Sequence, residues 1–444
     1  MSFLAYPEYK DSGIEWLGEV PAGWTVTALK RSIPFQTGGT PATGNEDFYG
    51  GDDIWVTIGD MQKKEVGSSK TMLTTAGINA ASIPITPSGS LLFSFKLSVG
   101  QVAFASVDLY TNEAIASFLP NDVFDLGYGY YALPHFVVQN ATENIYGAKL
   151  LNRTRIENAP ICVPSYSEQC AITAFLDRET AKIDAAVAAQ ERLIALLAEK
   201  RAATISHAVT KGLDPDAPMK DSGIEWLGQI PAHWDVKRLR HLARLNPSKS
   251  ELDRHANEVV SFLPMEAIGE RGTLDLTSTR RVGEVASGYT YFAENDVTVA
   301  KITPCFENGK GALMRGLQGE IGFGTTELIV VRPGDKIRPA FLKLVCDTAE
   351  FRRLGEGWMY GAGGQKRVPD AFVENFAVAT PTVTEQDKIV AEVERRMQDF
   401  DKLEERARGS IELMRERRAA LISAAVTGKI DVRGEVEAHQ QEAA

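Results

Sequence analysis

Residues 11–18 and 221–228 are the same eight amino acids, DSGIEWLG, in a chain of 444. An identity of that length, 210 positions apart, restricts the fold to architectures that build one structural frame twice. The repeat extends outward, since Lys10 matches Lys220 and PAGW (21–24) matches PAHW (231–234). It then fades, and returns at an offset of 217. There Gly147 and Lys149 match Gly364 and Lys366, Glu157-Asn158 matches Glu374-Asn375, Pro164 matches Pro381, and Glu168-Gln169 matches Glu385-Gln386. Two similar ends bracket two dissimilar middles. The length alone argues for more than one core.

From Glu168 and Glu385 the halves stay in register without a gap through RAATISHAVT (201–210) and RAALISAAVT (418–427). Both segments are long and helix-favouring: the first is rich in Ala, Leu, Glu and Lys, contains no Pro and has Gly only at its end, which predicts two long helices. Ser167 and Thr384 are the expected N-caps. Apolar residues step by four and three through Ile172, Leu176, Ile183, Val187, Ile194, Leu197 and Ala208. The second helix does the same through Ile389, Val393, Phe400, Ala407, Ile411, Met414, Leu421 and Ala425. That spacing predicts a coiled-coil seam, against the alternative of two amphipathic helices on separate cores. Arg201 and Arg418 fall at equivalent seam positions, and exposure near a frayed helix end is the expected reason they are tolerated.

The middles read as mixed α/β domains of short strands. WVTIGD (55–60), SLLFSF (90–95), QVAFAS (101–106), DVTVAKI (296–302) and ELIVVRP (327–333) have strand character, and TGGTP (37–41) and YGGDD (49–53) mark turns. The resulting division is an N-terminal arm with a first domain (1–166), a long helix (167–212), a linker, arm and second domain (213–383), a second long helix (384–430) and a flexible tail (431–444). Trp16, Trp24, Trp226 and Trp234, paired beside Pro and Gly, are expected to fasten each arm onto its domain; base stacking is the alternative.

Several function classes find little support. No run approaches the roughly 18 apolar residues that span a bilayer, and the N-terminus lacks a basic region followed by an apolar run, so a cytoplasmic location is expected. Cys162, Cys170, Cys305 and Cys346 form no CxxC and are expected to be reduced core thiols. Walker, HExxH and GxSxG patterns are absent, as is an Asp/Asn-Pro-Pro-aromatic aminomethyltransferase signature. Gly-rich GAGG (361–364) is not set in a βαβ unit. A loose nuclease pattern, Pro215-Asp216 with Asp235-Val236-Lys237, would place two carboxylates and a lysine around Mg²⁺. The first half has Thr25-Val26-Thr27 instead, and the pattern straddles a linker. The net charge is −11. Residues 1–166 carry 10 basic and 16 acidic side chains and residues 213–383 carry 21 and 23, so a DNA site has to be a local patch or draw positive charge from partners.

KDSGIEWLG with its following Pro and Trp, GGTP…YGGDDIWVTIGD, and PSYSEQ or PTVTEQ leading into helices that end RAATISHAVTKG or RAALISAAVTGK resemble, in their paired order, the specificity subunit of type I restriction-modification enzymes. The resemblance covers almost the whole chain. It implies an α+β fold: two mixed α/β target-recognition domains in pseudo-twofold repeat, joined by two long antiparallel coiled-coil helices. It also implies that each domain reads one half of a split, asymmetric double-stranded DNA site, that the helices dock modification subunits, and that restriction subunits join that core. No catalysis is expected in this chain, and no cofactor: S-adenosylmethionine belongs to the modification subunit, ATP and Mg²⁺ to the restriction subunit. The competing class is a helical-rod adaptor that binds proteins without reading DNA.

Candidate DNA contacts follow from local charge and residue type. In the first domain they are Lys63, Lys64, Lys70 and Lys149. In the second they are Arg280, Arg281, Gln365, Lys366 and Arg367. Arg and Gln can pair bidentately with G and A edges, whereas Lys more often meets phosphate. The matched Gly147/Lys149 and Gly364/Lys366 pairs are the backbone-anchoring candidates, because both half-sites need phosphate contacts whatever their sequence.

Overall fold

The computed structural model describes residues 4–143, 147, 149–251, 254–362 and 364–434. The chain forms two compact units, Met1–Ala189 with Ser410–Ala444, and Gln190–Gly409. Each unit therefore holds one domain together with parts of both long helices.

In the first unit an antiparallel sheet runs in the order Phe35–Thr37, Ile115–Phe118, Leu91–Ser94, Val102–Ala105, with Glu65–Val66 added in parallel at the edge. Successive side chains alternate between faces. Leu91, Phe93, Ala116 and Phe118 pack toward the helix Leu126–Val137 and toward Ile172 and Leu176. Leu92, Ala103 and Ile115 pack on the other side with Val56 and Met61. A smaller sheet orders Tyr110–Thr111, Tyr49–Val56 and Thr71–Leu73.

The second unit repeats the order with different residues. Ala243–Leu245, Leu328–Pro333, Val297–Ala300 and Gly311–Leu313 form its antiparallel sheet. Val297, Val299, Ile329 and Val331 face the helix Pro339–Cys346 and the long-helix residues Ile389 and Val393. Its smaller sheet orders Thr279–Arg281, Val259–Leu263, Ile321–Gly324 and Thr290–Ala293. In the first unit the counterpart of that last strand pairing shrinks to an isolated bridge, Thr86 to Leu109. Apart from the added parallel edge strand Glu65–Val66 of the first unit, the dissimilar middles share one strand order, specified by alternation of apolar residues rather than by their identity.

The repeated octamer folds identically in both units. Ser12 N donates to Gly18 O (2.9 Å) and Ser222 N to Gly228 O (3.0 Å). The Asp11 and Asp221 carboxylates accept from the amides of Gly13 (2.9 Å) and Gly223 (3.0 Å), both at positive φ (71° and 70°). Leu17 and Leu227 are buried by the turn. Trp24 and Trp234 are fully buried, Trp16 leans on Phe136 (5.9 Å between centroids) and Trp226 on Phe376 (4.7 Å). Trp24 and Trp234 are buried anchors, Trp226 is half-buried against Phe376, and Trp16 packs on Phe136 while 43% exposed. Trp234 Nε1 donates to Glu385 (3.0 Å). In the first unit Tyr6 Oη donates to the matching Glu168 (2.7 Å), leaving the buried Trp24 Nε1 without a partner among the described residues.

The long helices are Tyr166–Lys211 and Val383–Val426. Every seam position is buried or half-buried. In the first unit Ile172 and Leu176 lie in one core with Ala425, while Asp184 meets Arg418. In the second, Ala208 lies with Ile389 and Val393, while Arg201 meets Asp401. Numbering rises along one helix as it falls along the other, so the helices run antiparallel. Matched glutamines brace each base: Gln169 Oε1 accepts from Asp125 N (2.8 Å) and Gln386 Oε1 from Arg338 N (2.7 Å), each at the start of the helix packed on its sheet.

Several expectations need correction. The second helix is capped by Thr382, whose hydroxyl accepts from Glu385 N (3.3 Å), and Ser165 holds the same place in the first, where its carbonyl accepts from Glu168 N. The Ser/Thr that caps is the one three residues before Glu, so Ser167 and Thr384 lie inside the first turn. Cys162 and Cys346 are buried, and burial pushes each thiol up to about 12; Cys170, on the outward face of its helix, is exposed, and Cys305 is half-buried. Arg201 is only 11% exposed and Arg418 33%: both are ion-paired rather than frayed. WVTIGD leaves the strand at Val56 and turns into a 3₁₀ segment at Ile58–Asp60, where Asp60 accepts from Thr57 N (2.9 Å). The tail is docked further than expected, because Val432 is fully buried and Asp431 N donates to Leu4 O (2.8 Å); its residues 435–444 lie outside the described residues. So does Gly363 of GAGG. Among the described residues no helix is long and apolar enough to cross a membrane.

Candidate nucleic-acid interface

The nine candidate residues divide by what holds them. Lys64 is held on the surface by a partner: its ammonium lies 2.6 Å from Asp177 on the first long helix and 5.2 Å from the Tyr130 ring centroid. Arg367 makes a bidentate pair with Glu327, Nη2 to Oε1 at 2.8 Å and Nε to Oε2 at 3.0 Å. The Arg367 hydrogen bonds hold the Glu327 carboxyl below its ordinary range. Both cations already have a carboxylate partner among the described residues, unlike the other candidates below.

Lys63 and Lys70 are exposed in the loop around the edge strand Glu65–Val66, and Lys149 is exposed on the strand Lys149–Leu150. Arg280 and Arg281 are exposed on Thr279–Arg281. Arg280 lies over Phe262 (5.4 Å), and Arg281 Nη1 donates to Asn257 Oδ1 (3.3 Å); both keep their positive charge. Gln365 and Lys366 are exposed in a ribbon whose backbone is laced to a neighbouring loop. The Thr303 hydroxyl accepts from Lys366 N (3.0 Å) and donates to Gly364 O (2.9 Å), and Thr303 N donates to Lys366 O (3.0 Å). Gly147 and Gly364 both adopt φ +77°, a left-handed turn that favours glycine. The sequence match at these positions therefore marks a shared backbone turn, two residues before a lysine in each unit.

Sequence reasoning missed Glu327, Thr303 and Tyr360. Tyr360 is 67% exposed and pairs through its backbone with Arg367, N to O at 3.2 Å and O from N at 2.9 Å. An exposed aromatic next to a Gly-rich, Gln-Lys-Arg loop was the available signal. In the first unit the turn before the central strand also carries a glutamate, Glu113, which accepts from the Thr40 hydroxyl and lies 4.0 Å from Lys96. The nuclease pattern dissolves into an ordinary surface pair, Asp235 Oδ2 to Lys237 Nζ at 3.0 Å, and the described residues hold no cluster of three or more metal-ligating side chains.

Residues 21–192 match the family model described as type I restriction modification DNA specificity domain. The chain is 39% identical over 187 residues to the EcoEI type I restriction enzyme specificity subunit of Escherichia coli, covering 41% of this chain and 31% of that protein. Over the same shares it is 37% identical to the EcoAI specificity subunit of the same organism. The matched segment spans about a third of the length of these relatives. The fold superposes over 93% of this chain and 98% of the HsdS subunit from Thermoanaerobacter tengcongensis, with TM-score 0.53 and 15% identity. It also superposes over 92% of this chain and 98% of a chain from a type I R-M system studied for complex assembly and conformational transition, with TM-score 0.60 and 15% identity. At that identity the structures speak for the fold, and the fold class expected from the repeat stands.

Proposed function

We propose that the chain is the DNA sequence-specificity subunit of a type I restriction-modification complex. The first domain reads one half of a bipartite site and the second reads the other. Because the two are unlike in sequence, the site is asymmetric. The paired helices dock modification subunits, and restriction subunits join through them. The chain is non-catalytic; S-adenosylmethionine, ATP and Mg²⁺ work in the partners. A cytoplasmic location, shared with the DNA and the other subunits, follows from that role.

The observation that carries this reading is one sheet order built twice from dissimilar residues, each copy framed by identical turns and ending in a lysine-bearing ribbon. Duplicated frames with divergent contents suit two half-sites as symmetric dimers suit palindromes. A helical-rod adaptor would need neither a DNA specificity domain nor two such surfaces.

The test is expression of the chain with a modification subunit in a methylation-free host, followed by mapping of methylated bases. The expected result is one asymmetric motif of two short specified segments separated by unspecified positions. A single uninterrupted motif, or a palindromic one, would contradict the reading.

A further inference from the structure

Arg367 is, on residue type alone, a strong candidate for a base contact, yet its guanidinium is already spent on Glu327. The pair joins two particular places. Glu327 ends the two-residue turn that leads into Leu328–Pro333, the strand flanked by both its neighbours in the main sheet of the second unit. Arg367 closes the ribbon that begins at Tyr360. Val368 N also donates to Lys301 O (2.8 Å), and the Thr303 hydroxyl grips Lys366 N and Gly364 O. The ribbon is thereby tied to the sheet on one side, while Tyr360, Gln365 and Lys366 project their side chains to solvent.

We propose that the Tyr360–Arg367 ribbon is the DNA-reading element of the second domain, with Gln365, Lys366 and Tyr360 facing the duplex and Arg367 acting as a positioning residue locked by Glu327. This rests on the proposed function and names residues within it. The chemistry suits the task. The Gln365 amide can satisfy an adenine edge, Lys366 can meet a phosphate, and the Tyr360 ring offers a flat apolar face with a hydroxyl at its tip. Pre-organisation supplies the reason for the lock: Gly364, Lys366 and Arg367, already held by Thr303, Tyr360 and Glu327, lose less freedom on binding than untethered residues would. Among the described residues the first domain shows no counterpart of this pair. The first domain has the same positive-φ glycine in its ribbon, but Leu150 stands at the offset-matched position of Arg367 and is half exposed, while Glu113 is engaged by Thr40 and Lys96.

The experiment uses the full chain assembled with its modification subunit, with duplex affinity, methylated motif and thermal unfolding measured for each variant. Lys366→Glu touches an exposed side chain, so its melting temperature should match wild type while duplex affinity falls roughly tenfold or more. Arg367→Glu and Glu327→Arg should each weaken or blur the second half of the motif and leave the first half unchanged. The double variant Glu327→Arg with Arg367→Glu rebuilds the pair in reverse and should restore the original second half to within about threefold of wild-type methylation. Wild-type affinity in Lys366→Glu would overturn the DNA-facing assignment. A double variant no better than a well-folded Arg367→Glu, or Arg367→Glu with an unaltered motif, would overturn the lock. If the wild-type complex itself yields no bipartite motif, the failure lies with the proposed function and not with the ribbon.

Discussion

Arg201 is ion-paired with Asp401 across the two long helices of the second unit at 2.7 Å, and the residues 217 positions from them, Arg418 and Asp184, are ion-paired in the first unit at 2.9 Å. The repeat thus reproduces a side-chain contact as well as a fold. The two pairs differ in depth. Arg201 also reaches Glu404 (3.3 Å) and lies over the Phe400 ring (5.6 Å), and Glu404 in turn holds Arg271 and Arg408. Val187 stands at the place of Glu404 in the first helix, so Arg418 has no second carboxylate there. Arg201→Ala should therefore destabilise its helix pair by about 3 kcal/mol, at the low end of the range for a broken buried pair because Arg271 and Arg408 still compensate Glu404. Arg418→Ala, at a more exposed pair, should cost about 0.5 kcal/mol. Native-state hydrogen exchange at residues 197–208 and 180–187 distinguishes the two effects; equal costs would contradict the difference in burial.

The same cluster fixes a pH dependence. The Arg408 hydrogen bonds, with help from Arg271, hold the Glu404 carboxyl below its ordinary 4.5. A carboxyl with a depressed folded-state value contributes stability that is fully present above 4.5 and disappears as pH falls through the lower folded value. Stability of the second unit should fall on acidification below 4.5. Glu404→Gln should be less stable at neutral pH and show a shallower acid slope. Urea midpoints from pH 7 to pH 3 check this, and parallel slopes for the two proteins would refute it.

Much of this was legible in sequence because it depends on local rules. Identical octamers give identical turns, since Asp, Ser and two glycines specify them with hydrogen bonds spanning a few residues. The four-three apolar steps gave the helix seam, Arg201 and Arg418 included. The common sheet order was hidden, because Leu92-Phe93 and Thr298-Val299 obey one in-and-out pattern without sharing a residue. The site was less legible still. Lys64 and Arg367 find their carboxylates 113 and 40 positions away, and spacing along a chain carries no record of such meetings.

That distinction yields a direct comparison within one loop. Lys63→Ala and Lys70→Ala should leave stability unchanged and each reduce the slope of log affinity against log salt by up to about one. Lys64→Ala releases Asp177 and the Tyr130 contact, and its effect should appear in the melting temperature of the first unit, with the salt slope retained. A lowered slope in Lys64→Ala with wild-type melting would return that lysine to the DNA-facing set.

The octamers serve the frame. Gly13 and Gly223 sit at positive φ with open space where a Cβ would go, so Gly13→Ala and Gly223→Ala isolate backbone strain. Each should cost about 1 kcal/mol while the methylated motif stays the same. A changed motif in either variant would place the octamer among the sequence-reading parts.

The central claim is that one frame carries two independent DNA-reading surfaces, and a domain exchange measures it most directly. Residues 30–160 are replaced by the corresponding segment of a relative with a different target, the chimera is expressed with its modification subunit, and methylated bases are mapped. The account predicts a motif in which one half changes to the donor's and the other half remains as before. Change in both halves, or in neither, would contradict it.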